Sequence, residues 1–285
     1  MTRGLLERLF KTPALAALRQ ENLRLRAELD SVKERHVRHL DEIAGIQRQL
    51  LPGDDNGGIE DIRYAASYRP FFNVGGDYYD IVPLPAGPGG LPGKTPWGAI
   101  IADASGHGPA AAVEIAMMDA ILRTYTGLDT GPAAALNYIN RHFFTRRIRK
   151  DFITAMVINF DPDSGLLTYA NAGHHPALIL GNRNRKVRVL NDNPGIPLGV
   201  TRGYEWSDTR IPAASGDTIF LYTDGIIESR SVSGEYFGRD RLESIISGCQ
   251  SEPEEIIANV TSAVDRFRRD AARTDDESML AISIL

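Results

Sequence analysis

The chain has 285 residues, 42% hydrophobic and 24% charged, which are the proportions of an ordinary folded domain. No apolar run reaches the about 20 residues that span a bilayer. Residues 1–13 are too short and too interrupted by charge for a secretory signal, so no membrane span is expected. Net charge is -5, unevenly spread: residues 1–50 carry ten Lys/Arg against seven Asp/Glu, the remainder 22 against 30. So acidic a remainder argues against nucleic acid as a partner.

In chain order, Leu5, Leu6, Leu9 and Phe10 form a short apolar stripe with Arg3, Arg8 and Lys11 nearby. A frayed terminus and an amphipathic contact both fit it. From there Leu15, Leu18, Asn22, Leu25, Leu29, Val32, His36, His39, Ile43, Ile46 and Leu50 alternate spacings of three and four. About five heptads of such a seam predict a coiled-coil helix over 15–50. Asn22 falls where a buried Asn commonly sets register in a parallel pair, so a homodimer through residues 15–50 is expected. The seam could instead pack on another chain's helix. His36 and His39 interrupt it, either as tolerated polar residues or as a soft spot sensitive to pH or signal.

The Pro/Gly/Asp-rich stretch 52–58 ends the helix and divides the chain into a regulatory, dimerising segment, 1–51, and a domain, 52–285. Within the domain, apolar runs at 78–84 and 97–102 flank a Pro/Gly-rich loop and read as a hairpin. Helices follow at 109–125, with Pro109 in the first turn, and at 132–149. Strands at 152–160 and 166–172 are joined by Asp161-Pro162-Asp163-Ser164-Gly165, a strong turn signal. A second hairpin spans 177–180 and 187–190, a buried strand 218–222, helices 239–246 and 254–269, and a last strand 279–285. Antiparallel strands interleaved with paired helices predict a layered α+β sandwich. The basic cluster Arg146, Arg147, Arg149 and Lys150 closes a helix, as a solvated end or a docking patch. Arg183, Arg185, Lys186 and Arg188 sit at a hairpin tip and should be exposed. The single cysteine, Cys249, suits a reducing cytoplasm and reads as a packing residue.

Four aspartates carry the chemistry. A hairpin centred near residue 90 places Asp77 beside Asp103, because antiparallel pairing recedes symmetrically from the turn. Two carboxylates so placed repel unless a proton or cation lies between them. Asp224 directly follows the strand 218–222 and Asp275 precedes the last strand; if those strands are antiparallel, both acids reach one end of a sheet. Each alone reads as a turn residue. Together they leave open a two-metal hydrolase. No His/Cys grouping has zinc spacing, so the ligands would be hard oxygens, which select Mg²⁺ or Mn²⁺.

Residues 46–285 resemble the metal-dependent protein phosphatases of the PPM family, in the branch typified by stage II sporulation protein E and RsbU. The motifs that carry the resemblance are Ile46-Gln47 through Leu50-Leu51-Pro52, Arg69-Pro70 followed by VGGDYYD, DASGHG, Phe152-Ile153-Thr154-Ala155, YANAGHHP from Tyr169, Gly195-Ile196-Pro197-Leu198-Gly199, GDTIFLYTDGIIES from Gly216, and Asp275-Asp276. The resemblance implies an α-β-β-α sandwich of two antiparallel sheets flanked by helices. It also implies a phosphoserine/phosphothreonine phosphatase using two divalent cations, Mn²⁺ or Mg²⁺. Asp103 would bridge the ions with the Ala104 carbonyl as a further ligand, Asp77 would bind one ion, and Asp224 with Asp275 the other. Water held between the ions would attack phosphorus in line, with no covalent phosphoenzyme. The implied partner is a phosphorylated regulatory protein, a STAS-type anti-sigma-factor antagonist. Glu277 departs from the pattern, standing where an apolar residue or Met is frequent. Asp80, His107 and Asp276 are candidates for supporting roles. His107 could protonate the leaving oxygen or shape the Gly-rich turn; His174 and His175 could join catalysis or build a strand-end turn. A catalytically silent binding module and a coiled-coil scaffold are the alternatives to an enzyme.

Overall fold

The computed structural model of the chain describes residues 13–52, 61–85, 94–127, 130–146, 151–250 and 252–285. The stripe at 5–10, the linker at 53–58, most of the first hairpin's loop, and Arg147, Arg149 and Lys150 lie outside them. The chain divides into two compact units, Met1–Gly45 and Ile46–Leu285. Helix α1, Pro13–Arg48, forms the described part of the first and ends inside the second. Its seam residues Leu18, Leu25, Leu29 and Val32 are 52–66% exposed. His36 and His39 are exposed as well.

The described residues of the second unit form ten strands in two antiparallel sheets. β1 (Ile62–Arg69), β10 (Glu277–Ile284), β9 (Thr218–Tyr222), β6 (Leu178–Leu180) and β7 (Val187–Val189) form one in that order. The other runs β2 (Asp77–Pro83), β3 (Trp97–Ala104), β4 (Ile153–Asp161), β5 (Leu166–Ala172) and β8 (Thr209–Pro212). Helices α2 (Pro109–Arg123) and α3 (Pro132–Arg146) cover the outer face of the second sheet. Helices α5 (Arg239–Gly248) and α6 (Pro253–Arg268) cover that of the first, and one-turn α4 (Asp224–Ile227) follows β9.

Period-two alternation explains how one strand serves two cores. In β2, Tyr79 and Ile81 face the space between the sheets, where they meet Ile101, Met156, Leu221 and Leu280; Tyr78 faces outward onto Ile115 and Met118 of α2. In β10, Leu280 and Ile282 enter the inter-sheet core, while Met279 and Ala281 turn to Val260 and Val264 of α6. All eight β10 residues are buried, as expected of a strand covered on both faces. The layered α-β-β-α sandwich read from the motifs is therefore the fold. Cys249 lies in the outer core with Ile246 and Val260. The hairpin-tip residues Arg183, Lys186 and Arg188 are exposed and Arg185 half-buried.

β1 and β8 escape the pattern reading. β1 alternates weakly because most of its residues are half-buried; β8 is four residues long. Glu277 has a structural explanation. It is buried at the start of β10, pairs with Arg268 of α6, and lies 3.5 Å from the Arg69 guanidinium at the end of β1. A buried acid with two cations joins strand, strand and helix at one corner.

Candidate metal centre

Asp77 pairs with Asp103 in the β2–β3 ladder, the register expected from hairpin symmetry. β9 and β10 are antiparallel, and beyond the paired Tyr222 and Met279 the chains continue into Asp224 and back to Asp275. Thr223 joins the two sheets at this end. Its N–H donates to the Ser278 carbonyl at 3.0 Å, its Oγ1 accepts from the Ser278 N–H at 3.0 Å, and its hydroxyl donates to Asp77 Oδ2 at 2.8 Å.

The electrostatics show how close the acids are. Burial, and then the Asp276 charge, hold the Asp77 carboxyl well above the usual carboxylate range, partly eased by the Thr223 hydroxyl. Asp103 is raised too, by burial and then by Asp77, Asp224, Asp275 and Asp276, so it feels every other acid of the group. Asp224 is pushed up to about 6 by burial, Asp275 and Glu228. None of the main influences on Asp77, Asp103 or Asp224 is a lysine or arginine. An oxygen-only donor set with unbalanced negative charge, buried at Asp77 and half-buried at Asp103, Asp224 and Asp275, fits a hard divalent cation. The Ala104 side chain is buried, its N–H donates to the Gly76 carbonyl at 2.9 Å, and its own carbonyl oxygen lies over Gly76.

Asp276 has a different task from its neighbour. Its Oδ1 accepts from the Phe71 N–H and its Oδ2 from the Gly76 N–H, both at 2.6 Å, so it holds the turn leading into Asp77. Two glycines make room for it. A Cβ on Gly75 would stand 2.6 Å from the Asp276 carboxylate, and one on Gly225 would overlap the Asp276 carbonyl. The Gly-Gly-Asp and Asp-Gly pairs of the motifs are thus clearances around one residue, Gly75 for its carboxylate and Gly225 for its carbonyl. Asp275 Oδ1 accepts from the Asp276 N–H at 2.9 Å.

The supporting candidates separate. Asp80 does not join the site: three residues along β2 from Asp77, it lies on the opposite face of the sheet. There it lies 3.6 Å from Arg123 of α2 and lines a cavity of 330 Å³ with Leu122 and Ala135. His107 is exposed and packs on Phe71 and Phe72, with ring centroids 6.0 and 5.3 Å apart, beside the turn that Asp276 holds. His174 is buried, and burial followed by the neighbouring His175 pushes it down to about 3. It is neutral. Its Nε2–H donates to the Tyr222 carbonyl at 3.1 Å and its Nδ1 accepts from the Thr154 hydroxyl at 2.8 Å, tying β9 to β4. Asn171 closes the turn on the His174 N–H and carbonyl, so this segment is a strand-end turn. His175 stacks on Tyr222 at 6.1 Å; with Asp224 and Glu228 it offers ligand atoms all within 4.8 Å of one another. Glu228 lies inside the GDTIFLYTDGIIES motif but is given no role there; its i, i+4 spacing from Asp224 on a helical turn is the signal that places it beside that acid.

Helix pairs outside two antiparallel sheets, with acids gathered at one end of the sandwich, define a metal-dependent protein phosphatase of the PPM type. Within that class the chain belongs to the Stage II sporulation protein E (SpoIIE) family, whose model matches residues 93–285. It is 26% identical over 242 residues to phosphoserine phosphatase RsbU of Bacillus subtilis (strain 168), covering 85% of this chain and 69% of that protein. The SiaA-PP2C domain of Pseudomonas aeruginosa has the same fold, with TM-score 0.78, 19% identity, and coverage of 90% of this chain and all of that one (100%). The phosphatase domain of SpoIIE from Bacillus subtilis, solved with a fragment of its regulatory domain, follows at TM-score 0.62 and 19% identity, covering 78% of this chain and 63% of that one.

Proposed function

We propose that the protein hydrolyses phosphoserine or phosphothreonine on a regulatory protein, a phosphorylated STAS-type antagonist of an anti-sigma factor. The observation that carries the reading is the Asp77–Asp103 pair, with Asp224 and Asp275 brought to the same end of the sandwich. In this reading Asp77, Asp103, Asp224 and Asp275 would hold the divalent cations, with the Ala104 carbonyl as a further ligand. When bound, Mn²⁺ or Mg²⁺ supplies an activated water and neutralises charge on the phosphoryl oxygens. The protein's part is positional. The Thr223 hydroxyl orients Asp77, Asp276 holds the turn before it, and neutral His174 locks the sheets together rather than moving protons. The single cysteine is buried in a helix–sheet core, which leaves no thiol to form a phosphoenzyme and suits a reducing cytoplasm.

Hydrolysis of para-nitrophenyl phosphate tests the enzyme class. Activity should require Mn²⁺ or Mg²⁺, vanish in EDTA and return when metal is restored. A protein that binds the phosphoprotein yet turns over neither compound with metal present would instead be a silent binding module.

The exposed seam of Leu18, Leu25, Leu29 and Val32 supports a homodimer through residues 15–50. Sedimentation equilibrium should give the mass of two chains, and that of one chain for the double variant Leu25→Glu/Leu29→Glu. A one-chain mass for the unaltered protein would exclude the dimer. Among the described residues no helix is long and apolar enough to cross a membrane.

A further inference from the structure

Gln47 stands on the last turn of α1, within the second unit, and is only 5% exposed. Its amide makes two hydrogen bonds to a single residue: Nε2 donates to the Gly75 carbonyl at 2.6 Å, and Oε1 accepts from the Gly75 N–H at 3.1 Å. An exchange of both bonds with one residue is what a neighbouring strand offers in a hydrogen-bonded antiparallel pair. Here a side chain supplies it. Glutamine has the donor and the acceptor side by side, whereas ionised glutamate lacks the donor and asparagine is one methylene shorter. Just past Gln47, Leu50 and Leu51 pack against the cores of the sandwich and fix where the helix ends.

On the other side of the same turn Asp276 takes the Phe71 and Gly76 N–H groups. Residues 71–76 are therefore held from two directions, by a carboxylate leading into β10 and by an amide from the end of α1. This turn delivers Asp77 to the site two residues after Gly75. The Asp276 clamp belongs to the sandwich itself; the Gln47 clamp belongs to a helix that continues into the other unit.

We propose that Gln47 is a positioning residue for the metal centre: by holding both polar groups of Gly75 it sets the location of Asp77, so the end of α1 governs the affinity for divalent cation. The inference rests on Asp77 being a metal ligand. Partners that orient ligands from behind typically account for about 10- to 100-fold in metal affinity. The effect falls on binding first, because Gln47 reaches Asp77 only through the backbone of the turn.

The test uses the full chain and Mn²⁺ alone as the titrant in calorimetry, with thermal unfolding of each metal-free variant alongside. Gln47→Met keeps the length and removes both hydrogen bonds; it should fold and bind Mn²⁺ about 10- to 100-fold more weakly. Gln47→Glu adds a readout that a role in stability alone would not move. Its protonated acid can donate and accept like the amide, so its deficit relative to the unaltered protein should shrink from pH 8 to pH 6, while that of Gln47→Met does not. Mn²⁺ affinities within twofold of the unaltered protein for both variants, even with lowered melting temperatures, would overturn the proposal. Should Gln47→Met not fold, the pH trend of Gln47→Glu decides, and a flat trend overturns it. Asp77→Asn separates the two levels. If it binds Mn²⁺ as the unaltered protein does, the metal reading of Asp77 fails; if it loses binding while both Gln47 variants keep it, the positioning role alone fails.

Discussion

Asp103→Asn is expected to lower Mn²⁺-dependent hydrolysis of para-nitrophenyl phosphate by about 10³-fold, roughly 4 kcal/mol of transition-state stabilisation. The substitution preserves shape and leaves the β3 backbone pairing with β2 and β4 in place. What it removes is one negative charge at the carboxylate that feels Asp77, Asp224, Asp275 and Asp276 together. An amide oxygen is a weaker ligand than a carboxylate and carries no charge to set against a cation. The measurement is kcat/KM at saturating Mn²⁺, with circular dichroism to confirm the fold. Residual activity within tenfold of the unaltered enzyme would remove Asp103 from the proposed metal site.

The same substitution should stabilise the metal-free protein, because the acids of the proposed site repel one another and so oppose folding. Asp224 is raised from the ordinary 3.8 to about 6, and Asp77 and Asp103 are raised as well. Between the unfolded and folded values the native state binds more protons than the unfolded chain, so stability falls as pH rises through that window. For Asp224 it runs from about 4 to about 6 and costs on the order of 3 kcal/mol by neutral pH; Asp77 and Asp103 add to the same trend. The melting temperature of the EDTA-treated protein should therefore drop between pH 4.5 and pH 7. Mn²⁺ should restore it most at the upper end, since a ligand that binds only the native state stabilises by mass action. Asp103→Asn should flatten the metal-free profile. A metal-free melting temperature that rises steadily over this range would mean that the acids are already compensated from within the protein.

Opposite effects of one residue on stability and turnover are the expected signature of a site built from repulsion. They also explain the clearances around it. Gly75 and Gly225 give up side chains so that Asp276 can tie the Asp77 turn to the start of β10, and Thr223 ties Asp77 to β9. Each acid is thus held by a different strand end, in a place that it would not occupy if the charges alone decided.

Much of this was legible in the chain. Asp77 opposite Asp103 follows from hairpin symmetry, since antiparallel pairing is a linear rule that needs only the two strands and the turn. The convergence of Asp224 and Asp275 follows from one further assumption, that β9 and β10 are antiparallel, and they are. The helices α2, α3, α5 and α6 announce themselves by apolar periodicity, and Pro109 marks the first turn of α2.

Other features escape the motif reading. Asp80 shares a motif with Asp77, yet strand alternation sends it through the sheet to Arg123, away from the metal centre. Asp275 and Asp276 are adjacent identical residues, and only the approach of residues 71–76 decides that Asp276 spends its oxygens on backbone N–H groups. Gln47 looks like any polar residue at the end of a long helix; its role exists because Gly75 comes to meet it across 28 positions of sequence. His174 reads as a catalytic candidate until its two partners, from strands of different sheets, hold it neutral. The sequence by itself determined which acids meet, because strand register and turn position are short-range and periodic. The tertiary structure alone decided which groups hold those acids in place, because hydrogen bonds between distant segments depend on how the two sheets and the end of α1 come together, and no period in the chain records that.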